Sequence, residues 1–288
     1  MNPVKKSLWS LHLTVILLGA TALMSKVIPL SATDITFGRS IIACIVLALI
    51  VKLSGESLRL KRPRDYLIAL ALGLLMSAHW VTYFAAMQYS SVSVGMIALF
   101  TFPVIAVLLE PLFEGIRLVW QDIVSAVVVF IGIILIVPEV SLENDVTLGI
   151  LVGVLSAILY AFRNLFHRKF FSHYGGAHAM TYQTLVIFVS LLFFVSEDLF
   201  TASSETYLWL AVLGTFLTAL PHAMIATSLK YLRVKTFALV ACMQPFYGVI
   251  LAIVILDEQP NWQTFVGGIL VISAAIYETI NAQKLHRK

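Results

Sequence analysis

Charge is scarce in this 288-residue chain, where Asp, Glu, Lys and Arg together make up only 12%. An ordinary soluble domain carries about 25%. So few charges cannot cover a water-soluble globule of this size, which excludes a soluble domain, and the low polarity excludes a disordered chain. Cysteine is nearly absent: Cys44 and Cys242 both lie in apolar runs, too few for a disulfide framework or a zinc site. No G-x-x-x-x-G-K-[ST] loop is present, so no ATP site is legible. H-E-x-x-H, G-x-S-x-G and a paired intramembrane Asp are also missing, which leaves an intramembrane enzyme without machinery. What is abundant is apolar surface. Hydrophobic residues reach 60% and the mean hydropathy is +0.96, the composition of a polytopic membrane protein.

Runs of about 20 apolar residues, the length that crosses a bilayer core, occur near 8–28, 34–51, 66–87, 92–113, 119–137, 148–167, 179–195, 207–229, 236–256 and 262–280. The expected fold is thus an all-α membrane protein with ten transmembrane helices. The net charge of +4 invites a nucleic-acid reading, but the positions of the basic residues answer it. With the amino terminus inside, every Lys and Arg except Lys26, Arg39 and Arg163 falls at the cytoplasmic face, while Glu139, Glu143, Asp145, Glu197, Asp198, Glu205, Asp257 and Glu258 fall opposite. That is the positive-inside pattern, and it places both termini in the cytoplasm. Lys5-Lys6 before the first run imitates a signal peptide, but Lys26 and Pro29 stand where a small-residue cleavage site would be.

A shift of 142 residues aligns the ends of the two halves without a gap: Tyr89 with Tyr231, Val92 with Val234, Pro103 with Pro245, and Trp120-Gln121 with Trp262-Gln263. The halves, 1–140 and 141–288, are expected to be five-helix repeats. An odd number of helices makes the second copy run through the membrane inverted, a recurring plan of secondary transporters with a midplane substrate site. Pro103 and Pro245 lie near the middle of their spans and release the carbonyls of Leu99 and Ala241. They are candidate hinges, with simple kinks as the alternative.

Ionisable groups inside spans are the strongest pointers to a site. Arg39 lies ~8 Å below the outer surface at 1.5 Å per residue; snorkelling or a bond to backbone carbonyls is the structural alternative to a ligand role. Arg163 lies in the inner half of its span, where it either snorkels towards Arg168 and Lys169 or pairs with a substrate carboxylate or phosphate. His79 and His222 occupy nearly equivalent repeat positions, offset by one residue. They are candidates for coupling transport to protons, against the alternative of neutral imidazoles bonded to a neighbouring helix. Aromatic and amide groups at helical spacing complete the candidate lining: Trp80 and Tyr83 with Phe84, Tyr160 on the face of Arg163, and Gln244 and Tyr247 flanking Pro245. Gly149-x-x-x-Gly153 and Gly73-x-x-x-Ser77 are small-residue faces for close helix packing.

Five short motifs, Phe37-Gly38-Arg39, the Glu110 and Glu114 helix end, Leu159-Tyr160-Ala161, Leu256-Asp257-Glu258-Gln259-Pro260 and Trp9-Ser10, sit on this ten-span pattern. In these the chain resembles the drug/metabolite transporter superfamily, EamA type, from about residue 11 to 280. The resemblance implies a carrier of amino acids, metabolites or drugs, often moving them outward. The expectation is a secondary-active exporter of amino acids or related compounds in a bacterial inner membrane, working by alternating access. An intramembrane enzyme or a non-transporting receptor or subunit is the competing class. The expected partners are a small-molecule substrate, the lipid bilayer, protons as coupling ion and a second copy of the chain in a homodimer. No nucleic acid, metal or cofactor is expected.

Overall fold

The computed structural model describes residues 3–115, 118–137, 141, 143–228 and 240–285. The first residues of the ninth expected span, 236–239, lie outside them, as do Tyr231 and Val234 of the repeat comparison and the loop cations Arg117, Lys230, Arg233, Lys235, Arg287 and Lys288.

The described residues form helices and turns without a strand: α1 (Pro3–Val27), α2 (Ala32–Leu53), α3 (Pro63–Tyr89), α4 (Val92–Leu99), α5 (Phe102–Glu114), α6 (Trp120–Ile136), α7 (Asp145–Phe170), α8 (Gly176–Leu191), a single turn α9 (Glu197–Phe200), α10 (Ser204–Gly214), a π-turn (Thr215–Ala219), α11 (Leu220–Ser228), α12 (Gln244–Leu256) and α13 (Trp262–Leu285). Side-chain caps fix the starts. Ser31, Ser91, Asn144 and Ser203 each accept a hydrogen bond from the amide three residues on, satisfying a donor that the helix leaves bare.

Among the described residues six stretches are long and apolar enough to cross a membrane: Ser7–Val27, Ala32–Leu53, Pro63–Tyr89, Val92–Phe113, Asp145–Phe170 and Ser204–Met224. Trp120–Ile136, Gln244–Leu256 and Trp262–Tyr277 are apolar but shorter, and α8 has only 16 residues. By length and composition alone the described helices thus mark six spans, with the shorter apolar helices beside them.

Proline breaks the fourth stretch where its chemistry demands. Pro103 has no N–H to give the Leu99 carbonyl. The chain tightens, with Thr101 N bonding Ala98 O, and restarts as α5 with Pro103 at its second position, where the missing donor costs nothing. Pro245 repeats the arrangement. Met243 N bonds Val240 O, and α12 begins at Gln244 with Pro245 second.

The shift of 142 residues carries the start and end of α5 onto those of α12, and the start of α6 onto that of α13. It also carries Gly115 onto Asp257, the helix-end residues in left-handed backbone (φ 68° and 53°). Glycine takes that conformation freely, and aspartate is among the few other residues that tolerate it.

The packing has the same exchange symmetry. α3 packs most extensively on α7, and α1 on the α10–α11 stretch; α1 lies on α12, and α7 on α4 and α5. α2 pairs with α8 and α6 with α13. Side-chain contacts tie the α3–α4 turn to two other parts of the chain. The Glu258 carboxylate accepts from Val92 N (2.7 Å), Ser93 N (3.0 Å) and Ser93 Oγ (2.7 Å), capping α4 from the α12–α13 turn. Lys26 donates to the carbonyls of Gln88 and Ser90 at the end of α3.

Candidate functional site

The most deeply buried cation among the described residues belongs to α2. Arg39 is 3% exposed, and its guanidinium carbon lies 3.6 Å from the centroid of the Trp80 ring and 5.1 Å from that of Phe84. A guanidinium on an aromatic face gains from the ring quadrupole. Its Nε and Nη1 are buried with no hydrogen-bond partner among the described residues. Arg39 thus neither snorkels to an interface nor bonds backbone carbonyls through those two atoms.

Trp80 and Phe84 are one turn apart on α3, and the next face of the same helix carries His79 and Tyr83. The imidazole Nδ1 of His79 is 2.8 Å from Ser156 Oγ and 3.1 Å from Ser156 O on α7, while Ser156 Oγ donates to His79 O at 3.0 Å. With its single hydrogen spent on that carbonyl, the hydroxyl only accepts from the ring. The hydrogen of neutral His79 is therefore assigned to Nδ1, which leaves Nε2 as an acceptor. Tyr160, one turn beyond Ser156, stacks on His79 (centroids 4.6 Å, 21° between planes), and Phe102 of α5 meets Tyr160 edge-on at 4.9 Å. Tyr83 OH lies 3.8 Å from Met96 Sδ.

Arg163 continues the Ser156–Tyr160 face of α7. Its Nε donates to Gln183 Oε1 (2.8 Å), Nη1 to Asn164 Oδ1 (2.9 Å) and Nη2 to Met180 Sδ (3.4 Å). Gln183 is 0% exposed and is oriented by its own bond to Ala179 O. All three partners of Arg163 are neutral. Among the described residues no carboxylate lies within ion-pair distance of Arg39 or Arg163.

His222 sits just past the π-turn. Pro221 has no N–H for the Leu217 carbonyl, and Thr21 Oγ1 of α1 donates to that oxygen instead at 3.0 Å. His222 Nδ1 bonds Thr218 O at 2.6 Å. Such π-turns are frequent at functional sites. Arg39 on Trp80, His79 stacked on Tyr160 and Arg163 one turn past Tyr160 thus lie where α2, α3 and α7 meet, while His222 stands on α11, which packs on α1 and α8.

Gln244 and Tyr247 lie in a different seam. Gln244 Nε2 reaches Leu18 O at 3.4 Å, Tyr247 OH is 3.5 Å from His12 Nδ1, and Gly19 lets the two helices α1 and α12 meet. Pro103 and Pro245 mark the two helix restarts. Ser156 and Gln183 were not singled out in the sequence, although Ser156, Tyr160 and Arg163 fall at i, i+4 and i+7 on one helix face.

The model of the EamA-like transporter family matches this chain twice, over residues 5–137 and 147–277. The chain belongs to the EamA-like transporter family. The EamA-like chain is 25% identical to the "Uncharacterized transporter YxxF" of Bacillus subtilis (strain 168), over 93% of this chain and 87% of that protein. It is 24% identical to the "S-adenosylmethionine uptake transporter" of Rickettsia felis, over 92% of this chain and 89% of that protein. A solved crystal structure shares the fold with a TM-score of 0.64 at 17% identity, covering 96% of this chain and 97% of that one. This EamA-like protein is therefore a multi-pass membrane transporter of small metabolites and not an enzyme.

Proposed function

We propose that this EamA-like protein is a secondary-active carrier that exports amino acids or related compounds by alternating access. In this reading ten spans form two inverted five-helix repeats, 1–140 and 141–288, with both termini cytoplasmic in a bacterial inner membrane. The observation that carries the reading is the meeting of the two halves at buried polar groups: Arg39 lies on Trp80, and the neighbouring His79 bonds Ser156 and stacks on Tyr160, one turn from Arg163. The coincidence of helix ends under the 142-residue shift and the double family match support the repeat.

In this mechanism Arg163 pairs with the anionic group of the substrate. Tyr160, Trp80 and Tyr83 supply aromatic faces, and Pro103 and Pro245 are the points about which the broken helices bend. Arg39 is a further candidate for the lining, and Gln244 and Tyr247 are candidates from the separate α1–α12 seam. Protons are the coupling ion, and His79 and His222 are the groups that take them up. Replacing both histidines with Gln is expected to abolish the pH dependence of flux in proteoliposomes; an unchanged pH response ends that part of the reading.

Uptake is the second reading, favoured by the uptake transporters among the relatives. Counterflow of labelled amino acids in vesicles of known orientation separates the two. Gradient-dependent flux of none of a panel of amino acids, nucleosides and toxic analogues would overturn the carrier itself. Light scattering of the purified protein tests the homodimer.

A further inference from the structure

We infer that the central site takes an organic anion of net negative charge, whose carboxylate Arg39 holds together with Arg163, itself bonded only to neutral groups. The inference rests on the carrier reading and deepens it by fixing the charge class of the substrate. It starts from an imbalance. Two guanidiniums are embedded where α2, α3 and α7 meet, Arg39 on Trp80 and Arg163 one turn past the Tyr160 that stacks on His79, and among the described residues neither has a carboxylate partner. The nearest acid along α2, Asp34, is already spent. Its Oδ1 accepts from Ser196 N, and its Oδ2 from Ser196 Oγ and Ser31 Oγ.

The two cations differ. Arg163 is satisfied by Gln183, Asn164 and Met180, whereas Arg39 keeps unpaired donors on two buried nitrogens. Leaving charged donors unpaired in an apolar interior is costly. A carboxylate supplies the missing acceptors and the missing charge, and the planar guanidinium suits its geometry. Both nitrogens are closed off from solvent here, so the anion enters as the wall of Trp80 and Phe84 shifts and the site then shuts over it.

The imbalance also argues against the compound named for two relatives. S-adenosylmethionine carries a sulfonium and an ammonium against one carboxylate, so it brings a net positive charge to a site that already holds two.

The test is thermal stabilisation of the purified full-length protein by four anions, N-acetyl-L-phenylalanine, phenylpyruvate, 2-oxoglutarate and L-glutamate. They are set against zwitterionic L-phenylalanine and the cations L-phenylalaninol and S-adenosylmethionine. At least one anion is expected to bind about tenfold or more tightly than every zwitterion and cation. In Arg39→Met that preference disappears while the melting temperature of the unliganded protein holds or rises, because an unpaired buried charge has been removed. Arg163→Met, by contrast, strips a buried amide of its partner and lowers the melting temperature. Binding of none of the anions, tightest binding of a cation, or an Arg39→Met protein that unfolds or keeps the preference would each overturn the proposal. Gradient-driven flux of a zwitterion or cation alone would overturn it while leaving the carrier intact.

Discussion

Arg163→Ala is expected to reduce transport by about a hundredfold or more, and Arg163→Lys by only about tenfold. Arg163 makes three directed bonds, to Gln183, Asn164 and Met180, from the α7 face that also carries Tyr160. Hydrogen bonds to a charged group are worth roughly 1.5–3 kcal/mol each, and each ~1.4 kcal/mol is a factor of ten. Alanine removes both the charge and every bond, and it leaves Gln183 Oε1 unsatisfied in the interior. Lysine keeps the charge but cannot reproduce the planar fork. Initial rates in proteoliposomes, normalised to protein inserted, measure both variants. Near-normal transport in both would reject Arg163 as the anion's partner.

Gly149→Leu is expected to abolish recovery of folded protein. A Cβ at Gly149 would stand 2.7 Å from Ser90 Cβ and 2.8 Å from the Ala86 carbonyl oxygen. The second of these is backbone and cannot rotate away. The clash falls on the α3–α7 contact, the most extensive among the described helices, which also holds His79 against Ser156. Overpacking a well-filled interface by a few methylenes costs roughly 1–3 kcal/mol; a leucine set against backbone exceeds that. Gly149→Ala is the graded version and lowers the melting temperature without abolishing folding. Gly175→Ala is the control, because a Cβ there meets nothing within 4 Å. Size-exclusion profiles in detergent distinguish the three, and a monodisperse Gly149→Leu protein with wild-type yield would refute the packing account.

Much of the architecture was legible in the residues. Apolar runs located the helices to within a few positions, and the Pro103–Pro245 match anticipated two helix breaks that share one local geometry. The small-residue pattern at Gly149 and Gly153 anticipated the face α7 presents to its neighbours. The length of the marked spans was less legible. The seventh run was expected over 179–195, but α8 ends at Leu191 because the chain turns before Asp34 ties down Ser196.

The site was readable as a set of residue types but not as an arrangement. Arg39 and Trp80 are far apart in sequence, and nothing along the chain states that one lies on the other. Histidine alone does not reveal its tautomer either, since that depends on a serine from another helix. Pro221 showed a missing donor in the sequence, yet the repair by Thr21 required α1 to be in place.

Glu258 has a bearing on speed. It belongs to the turn between the last two helices, yet it holds the first amides of α4. Any movement that draws that turn outward strips α4 of its acceptor until water arrives to replace it. In the alternating-access reading proposed above, that contact acts as a latch whose release adds to the time of one transport cycle.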